Sequence, residues 1–376
     1  MKTKNFCLPV ILSGLPLLSY SFHNEKDLAP NIIIVLTDDM GYGDLGVYGG
    51  KFIPTPNIDR MAEEGLRFNQ YYSASPISSP SRCGLLTGMH PGRWHITSYL
   101  QTKAGNKAAD MADFLNPSAP TLPAAMKEGG YKTGHFGKWH LGGGRDVKDA
   151  PLFEVYGYDA YCSTYESPQP DPLLTATNWI WSEQDSIKRW DRTAYFVDKT
   201  LDFLKENKGK PCFVNLWPDD MHTPWVGDIE QQQVFPDGQE SEKNFRVVLS
   251  EFDKQIGRLL TEIKKMNLEN NTIVIFTSDN GPAPSFRRSR AGNMRGCKAS
   301  LFEGGVRMPF IIWDVKGQIP SGKVDSTSVV SALDLFKSLC CMAGVDLPKI
   351  YKSDGVNMSK ALSGNPQKRQ TPLFWE

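Results

Sequence analysis

The sequence predicts an α/β fold: a mostly parallel central sheet with helices on both faces. Two continuous apolar, β-branched runs, Asn31 to Leu36 and Thr272 to Phe276, have the pattern of strands buried on both faces. Between them lie segments of helical period, the longest from Ser241 to Met266, with Phe245, Val248, Leu249, Phe252, Ile256, Leu259 and Ile263 on one stripe. At 376 residues the chain can build one large domain of this kind. A hydrophobic content of 40%, with 33 Gly and 26 Pro, fits a loop-rich globular enzyme and not a disordered or fibrous chain. Basic and acidic residues balance at 42 each, which argues against a nucleic-acid or membrane-surface protein. Any anion site must therefore be a local cluster of cations.

The chain opens with Lys2 and Lys4, an apolar run from Phe6 to Leu18, and small and polar residues to about His23. Residues 1–23 are expected to be a secretory signal, too short for a membrane span, which leaves 24–376 as the folded domain and implies a periplasmic or secreted protein. Pro9, Gly14 and Pro16 argue against a core helix there. Cys7 stands at the start of the run, which favours free export over a lipid anchor. The other six cysteines show no zinc spacing, and no pairing follows from sequence.

In chain order, the first strand leads directly into Asp38 and Asp39, and the second into Ser278-Asp279-Asn280-Gly281. Open α/β sheets place ligands at the carboxyl ends of their strands. Two acidic strand ends can converge on one cation, and three carboxylates plus an amide carbonyl are hard oxygen ligands suited to Ca²⁺ or Mg²⁺ over zinc. Residues 57–68 read as an amphipathic helix. Next comes Ser78-Ser79-Pro80-Ser81-Arg82-Cys83-Gly84-Leu85-Leu86-Thr87-Gly88. Pro80 suits a first helical turn and Ser78 or Ser79 a cap, which puts Ser78 where free N–H groups favour an anion, with Arg82 beside it. A short helix (121–127) and a short strand (131–135) precede Gly137-Lys138-Trp139-His140-Leu141-Gly142, where an extended backbone points Lys138 and His140 to one face.

Residues 143–190 read as loops rich in Tyr, Trp and Pro, a sugar platform or, for most of the rings, a cover for the sheet. A helix (191–206) and a strand (212–217) lead to Met221-His222-Thr223-Pro224, whose histidine suits proton transfer near neutral pH. After the Asp279 strand, Arg287, Arg288, Arg290, Arg295 and Lys298 form a basic loop that would raise the local potential. A strand (308–313) and a closing helix (326–343) follow.

The stretch from Ser78 to Gly88 resembles the sulfatase signature, [C or S]-x-P-S-R followed by three residues and L-T-G, without mismatch. G-K-W-H-L-G resembles the second signature of that family. The resemblance spans nearly the whole chain after residue 23, through five separate motifs, and implies an alkaline-phosphatase-like sandwich. It further implies that Ser78 is oxidised to formylglycine (3-oxoalanine). One divalent ion, usually Ca²⁺ and less readily Mg²⁺, would be held by Asp38, Asp39, Asp279, Asn280 and residue 78. Lys138 and Lys298 would bind sulfate with Arg82, His140 would bond the modified residue, and His222 would be a general acid. The family commonly continues into a small C-terminal antiparallel sheet, which is expected to be truncated here.

An unmodified serine would form a sulfate ester that is hard to release. The hydrate of an aldehyde has one hydroxyl to attack sulfur and a second to expel sulfate. A serine-type maturation enzyme is the implied partner and a sulfated glycan, of galactose or N-acetylgalactosamine type, the implied substrate. His95 and Arg145 are candidate substrate residues. Two alternatives remain at this stage: a phosphoesterase of the same superfamily that uses Ser78 directly, or an impaired homologue that binds sulfated glycan without turnover.

Overall fold

The computed structural model describes residues 29–228, 241–314, 319–349 and 351–375; the expected signal at 1–23 lies outside them. Nine strands form one sheet: β1 (Asn31–Thr37), β2 (Leu66–Tyr72), β3 (Lys132–Gly137), β4 (Ala160–Ser163), β5 (Cys212–Trp217), β6 (Thr272–Ser278), β7 (Arg307–Trp313), β8 (Lys323–Asp325) and β9 (Val330–Ser331). The order is β4-β3-β5-β1-β6-β7-β2-β8, with β9 also on β2. Among the described residues, only the β7 pairings are antiparallel.

Alternation along the central strands explains the two-sided burial. Ile32, Ile34 and Leu36 of β1, with Ile273 and Ile275 of β6, enter one core. Ile33, Val35, Val274 and Phe276 enter the other. The first is covered by α2 (Ser78–Thr87), α3 (Leu122–Glu128) and α6 (Leu335–Ala343); the second by α1 (Pro56–Glu64), α4 (Arg192–Glu206) and α5 (Glu242–Lys265). Each fully buried Ile, Leu or Phe contributes about 1.5–3 kcal/mol to the fold. Ser241 caps α5 by accepting the Asn244 N–H at 3.1 Å.

Three boundaries differ from the sequence expectation. The helix expected over 57–68 ends at Glu64; Gly65 is extended, and a side chain there would meet the Ile312 carbonyl oxygen at 2.2 Å. Leu66 and Phe68, then Tyr71 beyond a register shift, are buried in the core as β2, which pairs with β7. Within the loops expected at 143–190, Ala160–Ser163 adds to the sheet edge as β4, and Tyr156, Tyr158 and Tyr165 are buried cover for the sheet. The closing helix begins at Leu335 rather than 326. Asp334 accepts the Ser331 N–H at 2.7 Å and Ser331 accepts from Leu333, a capping box that starts the helical turn late.

Four neighbouring parallel strands, β3-β5-β1-β6, release their loops at one edge. Their registers bring Gly137 beside Trp217 and Thr37 beside Ser278. The residues that follow each of these ends are the ones that meet in the site.

Candidate active site

Asp38 and Asp39 leave β1, and Asp279 and Asn280 leave β6 immediately alongside. Asp38, Asp39 and Asp279 each offer an oxygen within 4.8 Å of the others, and all three are buried. Asp39 takes a left-handed backbone, φ 60°, a turn that costs a non-glycine about 1–2 kcal/mol. Its N–H donates to Asp279 Oδ1 at 3.1 Å, and Asn280 Nδ2 donates to Asp39 Oδ1 at 2.7 Å. That bond turns the Asn280 carbonyl oxygen toward Ser78, 3.4 Å from its Oγ, while Ser78 Oγ lies 3.3 Å from Asp38 Oδ1. An all-oxygen set of three carboxylates, one amide carbonyl and residue 78 fits a hard divalent cation, Ca²⁺ or Mg²⁺, in donor chemistry and in mutual spacing.

Ser78 is the first residue of α2, and the flanking cap position is Ile77, without a side-chain cap bond. Neither serine expected to cap the helix does so: Ser78 Oγ faces Asp38 and Asn280, and Ser79 Oγ accepts the Leu100 N–H at 2.9 Å. Within the helix, Ser81 Oγ donates to the Asp279 carbonyl. Arg82, one turn into α2, is fully buried. Its Nε and Nη2 donate to Asp279 Oδ2 at 3.0 and 2.8 Å, Nη1 donates to the Lys138 carbonyl at 2.9 Å, and Nη2 lies 3.3 Å from Asp38 Oδ1. It therefore braces the carboxylates from below and does not line the cavity above them.

Gly137 ends β3 at φ 127°, and a side chain there would strike the Trp217 carbonyl oxygen at 2.0 Å. Only glycine lets the chain turn to present Lys138. The segment is a loop with His140 at φ 55°, not the extended run expected, yet Lys138 and His140 both line the cavity. Lys138 Nζ donates to Asp38 Oδ2 at 2.8 Å and Lys298 Nζ to Asp39 Oδ2 at 2.6 Å. Burial raises the Asp38 carboxyl, but Lys138, His222 and Arg82 outweigh it and hold it well below the usual range. Asp279 is pushed up to about 6, by burial first and then by Asp38 and Asp39, against the pull of Arg82. So dense a set of acids calls for the surrounding cations.

His222 Nδ1 lies 2.5 Å from the Thr223 carbonyl, so Nδ1–H is the donor and Nε2 gains and loses the proton, 3.7 Å from Asp39 Oδ2. His140 Nε2 faces the Leu100 carbonyl at 3.0 Å and Glu166 Oε1 at 3.5 Å, which leaves Nδ1 buried without a partner. Burial lowers the His140 imidazole to about 4.

Above these groups is a cavity of about 270 Å³ lined by Asp38, Ser78, Lys138, His140, His222 and Lys298. Arg145 joins the lining; its Nη2 donates to Glu166 at 3.0 Å and Tyr165 at 3.1 Å. His95 does not: it is exposed, at the end of a 3-10 turn over Pro91–Trp94. In the basic loop, Arg290 is buried against Asp44 at 2.8 Å, so its charge is spent on structure. Sequence reasoning missed Tyr99, Glu166, Arg189 and Asp219, which also line the cavity. Glu166 sits in a loop whose place depended on the unexpected β4. Asp219 had a visible signal, an acid between a strand end and His222.

His135 shows how the core bears on pH. It is fully buried among Trp139, Phe153, Tyr158 and Trp217. Burial, with the Arg82 charge nearby, lowers it to about 3. Its folded value lies below the ordinary one, so stability is full above about pH 6.5 and is lost as pH falls toward 3. Replacing it with phenylalanine, His135→Phe, is expected to flatten the decline of the urea midpoint between pH 6.5 and 4. An unchanged slope would show that acid unfolding begins elsewhere.

An open, mostly parallel sheet whose carboxyl edge gathers three buried carboxylates, two lysines, two histidines and a helix-borne hydroxyl defines an anion-handling hydrolase site. A family model described as Sulfatase matches residues 30–345, and the chain belongs to the sulfatase family. Its enzyme class is that of the sulfuric ester hydrolases and its fold the alkaline-phosphatase-like sandwich. It is 32% identical over 370 residues to N-acetylgalactosamine-6-sulfatase of Canis lupus familiaris, covering 92% of this chain and 68% of that protein. It is 28% identical over 442 residues to N-acetylgalactosamine-6-O-sulfatase of Bacteroides thetaiotaomicron, covering 97% and 83%. Among solved structures, Ps i-CgsB in complex with k-i-k-neocarrahexaose is 28% identical at a TM-score of 0.71, covering 90% of this chain and 77% of that one. A Bacteroides thetaiotaomicron structure described in terms of the metabolism of multiple glycosaminoglycans (BT33336S-sulf) is 26% identical at a TM-score of 0.75, covering 91% and 83%. The chain spans about two thirds of the length of the mammalian relative.

Proposed function

We propose that this protein is an exported sulfatase that hydrolyses sulfate monoesters on glycans through an oxidised form of residue 78. The observation that carries this reading is the position of Ser78 Oγ, beside Asp38 and Asn280 and on the same cavity as Lys138 and Lys298. A galactose- or N-acetylgalactosamine-type sugar is the proposed substrate; the names of two relatives carry N-acetylgalactosamine. Export rests on residues 1–23; no helix among the described residues is long and apolar enough to cross a membrane. A serine-type maturation enzyme would make the formylglycine.

Asp38, Asp39, Asp279 and Asn280 would hold the divalent ion together with residue 78, Ca²⁺ in preference to Mg²⁺. Such an ion supplies Lewis acidity and a counter-charge for the nucleophile. The oxidised side chain supplies the hydrated aldehyde. The chain's own groups do the rest. Lys138 and Lys298 meet the non-bridging sulfate oxygens at the cavity floor, while Arg82 fixes the carboxylates that orient them. Protonated at Nε2, His222 donates to the leaving alcohol; burial lowers its imidazole despite the pull of Asp39 and Asp38, which makes the protonated form a ready donor. The unpartnered Nδ1 of His140 is a base able to take a proton from residue 78.

Assays on paired sulfate and phosphate monoesters test the reading, with mass spectrometry of the peptide that spans residue 78. Sulfate turnover with an aldehyde at 78 is expected. Turnover of phosphate alone with intact serine would make the protein a phosphoesterase, and binding without turnover would make it a lectin-like homologue. Two further outcomes follow from the proposal. Replacing Lys138 with alanine should lower kcat roughly 10²–10³-fold, the cost of removing one positioned stabilising group. Chelation should abolish turnover, and Ca²⁺ should restore it more fully than Mg²⁺ at equal concentration.

A further inference from the structure

We propose that Asp219 determines specificity by accepting a hydrogen bond from a hydroxyl of the sugar that carries the sulfate, an inference that rests on the glycan-sulfatase reading above. Asp219 follows the end of β5 and precedes His222 by three residues. It is 4% exposed, and it lines the same cavity as Ser78 and His222. Its two carboxylate oxygens are in different situations. Oδ2 accepts from Arg189 Nη1 at 2.6 Å and Arg192 Nη1 at 2.9 Å, whereas Oδ1 is buried with no partner among the described residues. A buried acceptor left unsatisfied is costly, and one on a residue that lines a substrate cavity is satisfied when the substrate brings a donor within reach.

The charge of the group narrows what that donor can be. Burial raises the Asp219 carboxyl, but Arg189 and Arg192 outweigh it and keep the group ionised. An ionised carboxylate is an acceptor only, so it repels the oxygens of a sulfate and matches an O–H. The position relative to His222 narrows it further. Arg189 Nη2 donates both to the Asp219 carbonyl at 2.7 Å and to the His222 carbonyl at 2.9 Å. One guanidinium thus ties Asp219, through Oδ2 and its main-chain carbonyl, to the loop of the histidine that meets the leaving oxygen. The hydroxyl that is read therefore belongs to the ring that carries the leaving oxygen. The other cation of the upper cavity, Arg145, is held by Glu166 and Tyr165 and offers donors, not acceptors.

The test uses the mature wild-type enzyme with methyl galactoside 6-sulfate, methyl N-acetylgalactosaminide 6-sulfate, their monodeoxy and deoxyfluoro analogues, and 4-nitrophenyl sulfate. Removal of one hydroxyl is expected to lower kcat/KM roughly 10- to 100-fold, the range for a hydrogen bond to a charged partner. Fluorine at that position should lose at least as much, because it accepts and cannot donate. In the Asp219→Asn variant, the preference for parent over that deoxy sugar should collapse to near parity, whatever the absolute rates. The proposal is overturned if every deoxy sugar matches its parent in the wild type, if fluorine restores turnover, or if the preference survives in Asp219→Asn. It is equally overturned if 4-nitrophenyl sulfate is cleaved and neither sugar sulfate is. Failure of all three sulfates overturns the sulfatase reading instead. Should the variant not fold, the deoxy and fluoro series on the wild type decides alone.

Discussion

Replacing Ser78 with alanine is expected to abolish sulfate-ester turnover and leave the fold intact. The loss in kcat should be about 10⁶-fold, the scale on which a covalent nucleophile is missed. Both partners of the hydroxyl keep other bonds: Asp38 has Lys138 and Arg82, and Asn280 Nδ2 donates to Asp39. Removing Oγ should therefore move the unfolding free energy by only about 1 kcal/mol, the ordinary effect of a small substitution. Steady-state kinetics and urea denaturation on one preparation separate these outcomes. Turnover within tenfold of the wild type would mean that a water, and not residue 78, attacks sulfur. A collapse in stability would make Ser78 a structural hydroxyl first.

The central architecture was legible because its signals are local. Five apolar residues in a row, Ile32 to Leu36, have the pattern of a strand buried on both faces, and β1 divides its side chains between two cores as that pattern requires. Acids directly after such a strand must emerge at its carboxyl edge, which is how Asp38 and Asp279 come to be neighbours. What sequence could not supply was pairing. Leu66–Tyr72 comes after a helical pattern that Gly65 ends by turning the backbone, and pairing with β7, β8 and β9 makes it a strand. Ala160–Ser163 is likewise a strand because β3 offers an open edge. Among site residues, the motif-borne Lys138, His140, His222 and Lys298 meet at one cavity as expected. Glu166 was missed because a lone acid in a loop has no period to betray its direction, whereas Asp219 stood in view between a strand end and His222. His95 was overvalued for the complementary reason: its residue type suggested chemistry, and its backbone places it on the surface.

Replacing Arg82 with methionine is expected to cost about 3–5 kcal/mol of stability, the range for breaking a buried ion pair from one side. Sequence alone assigned this arginine to the anion; its surroundings give it a prior task. Asp279 Oδ2 has two of its donors, and Asp38 Oδ1 lies within reach of a third N–H. Without them Asp279 keeps the Asp39 N–H at 3.1 Å, in a site that already pushes its carboxyl up to about 6. Methionine fills the volume over the Trp217 ring but donates nothing. Lysine at 82 should recover little, because a single ammonium cannot span Asp279 Oδ2, Asp38 and the Lys138 carbonyl at once. Urea midpoints of the wild type, Arg82→Met and Arg82→Lys in chelator give the comparison. Millimolar Ca²⁺ should raise all three midpoints if the carboxylates bind it, since a ligand of the native state alone stabilises by mass action. A loss below about 1 kcal/mol in Arg82→Met would mean that the carboxylates rest on Lys138 and Lys298 alone. That outcome would return Arg82 to the role its sequence first suggested, a cation reserved for the substrate.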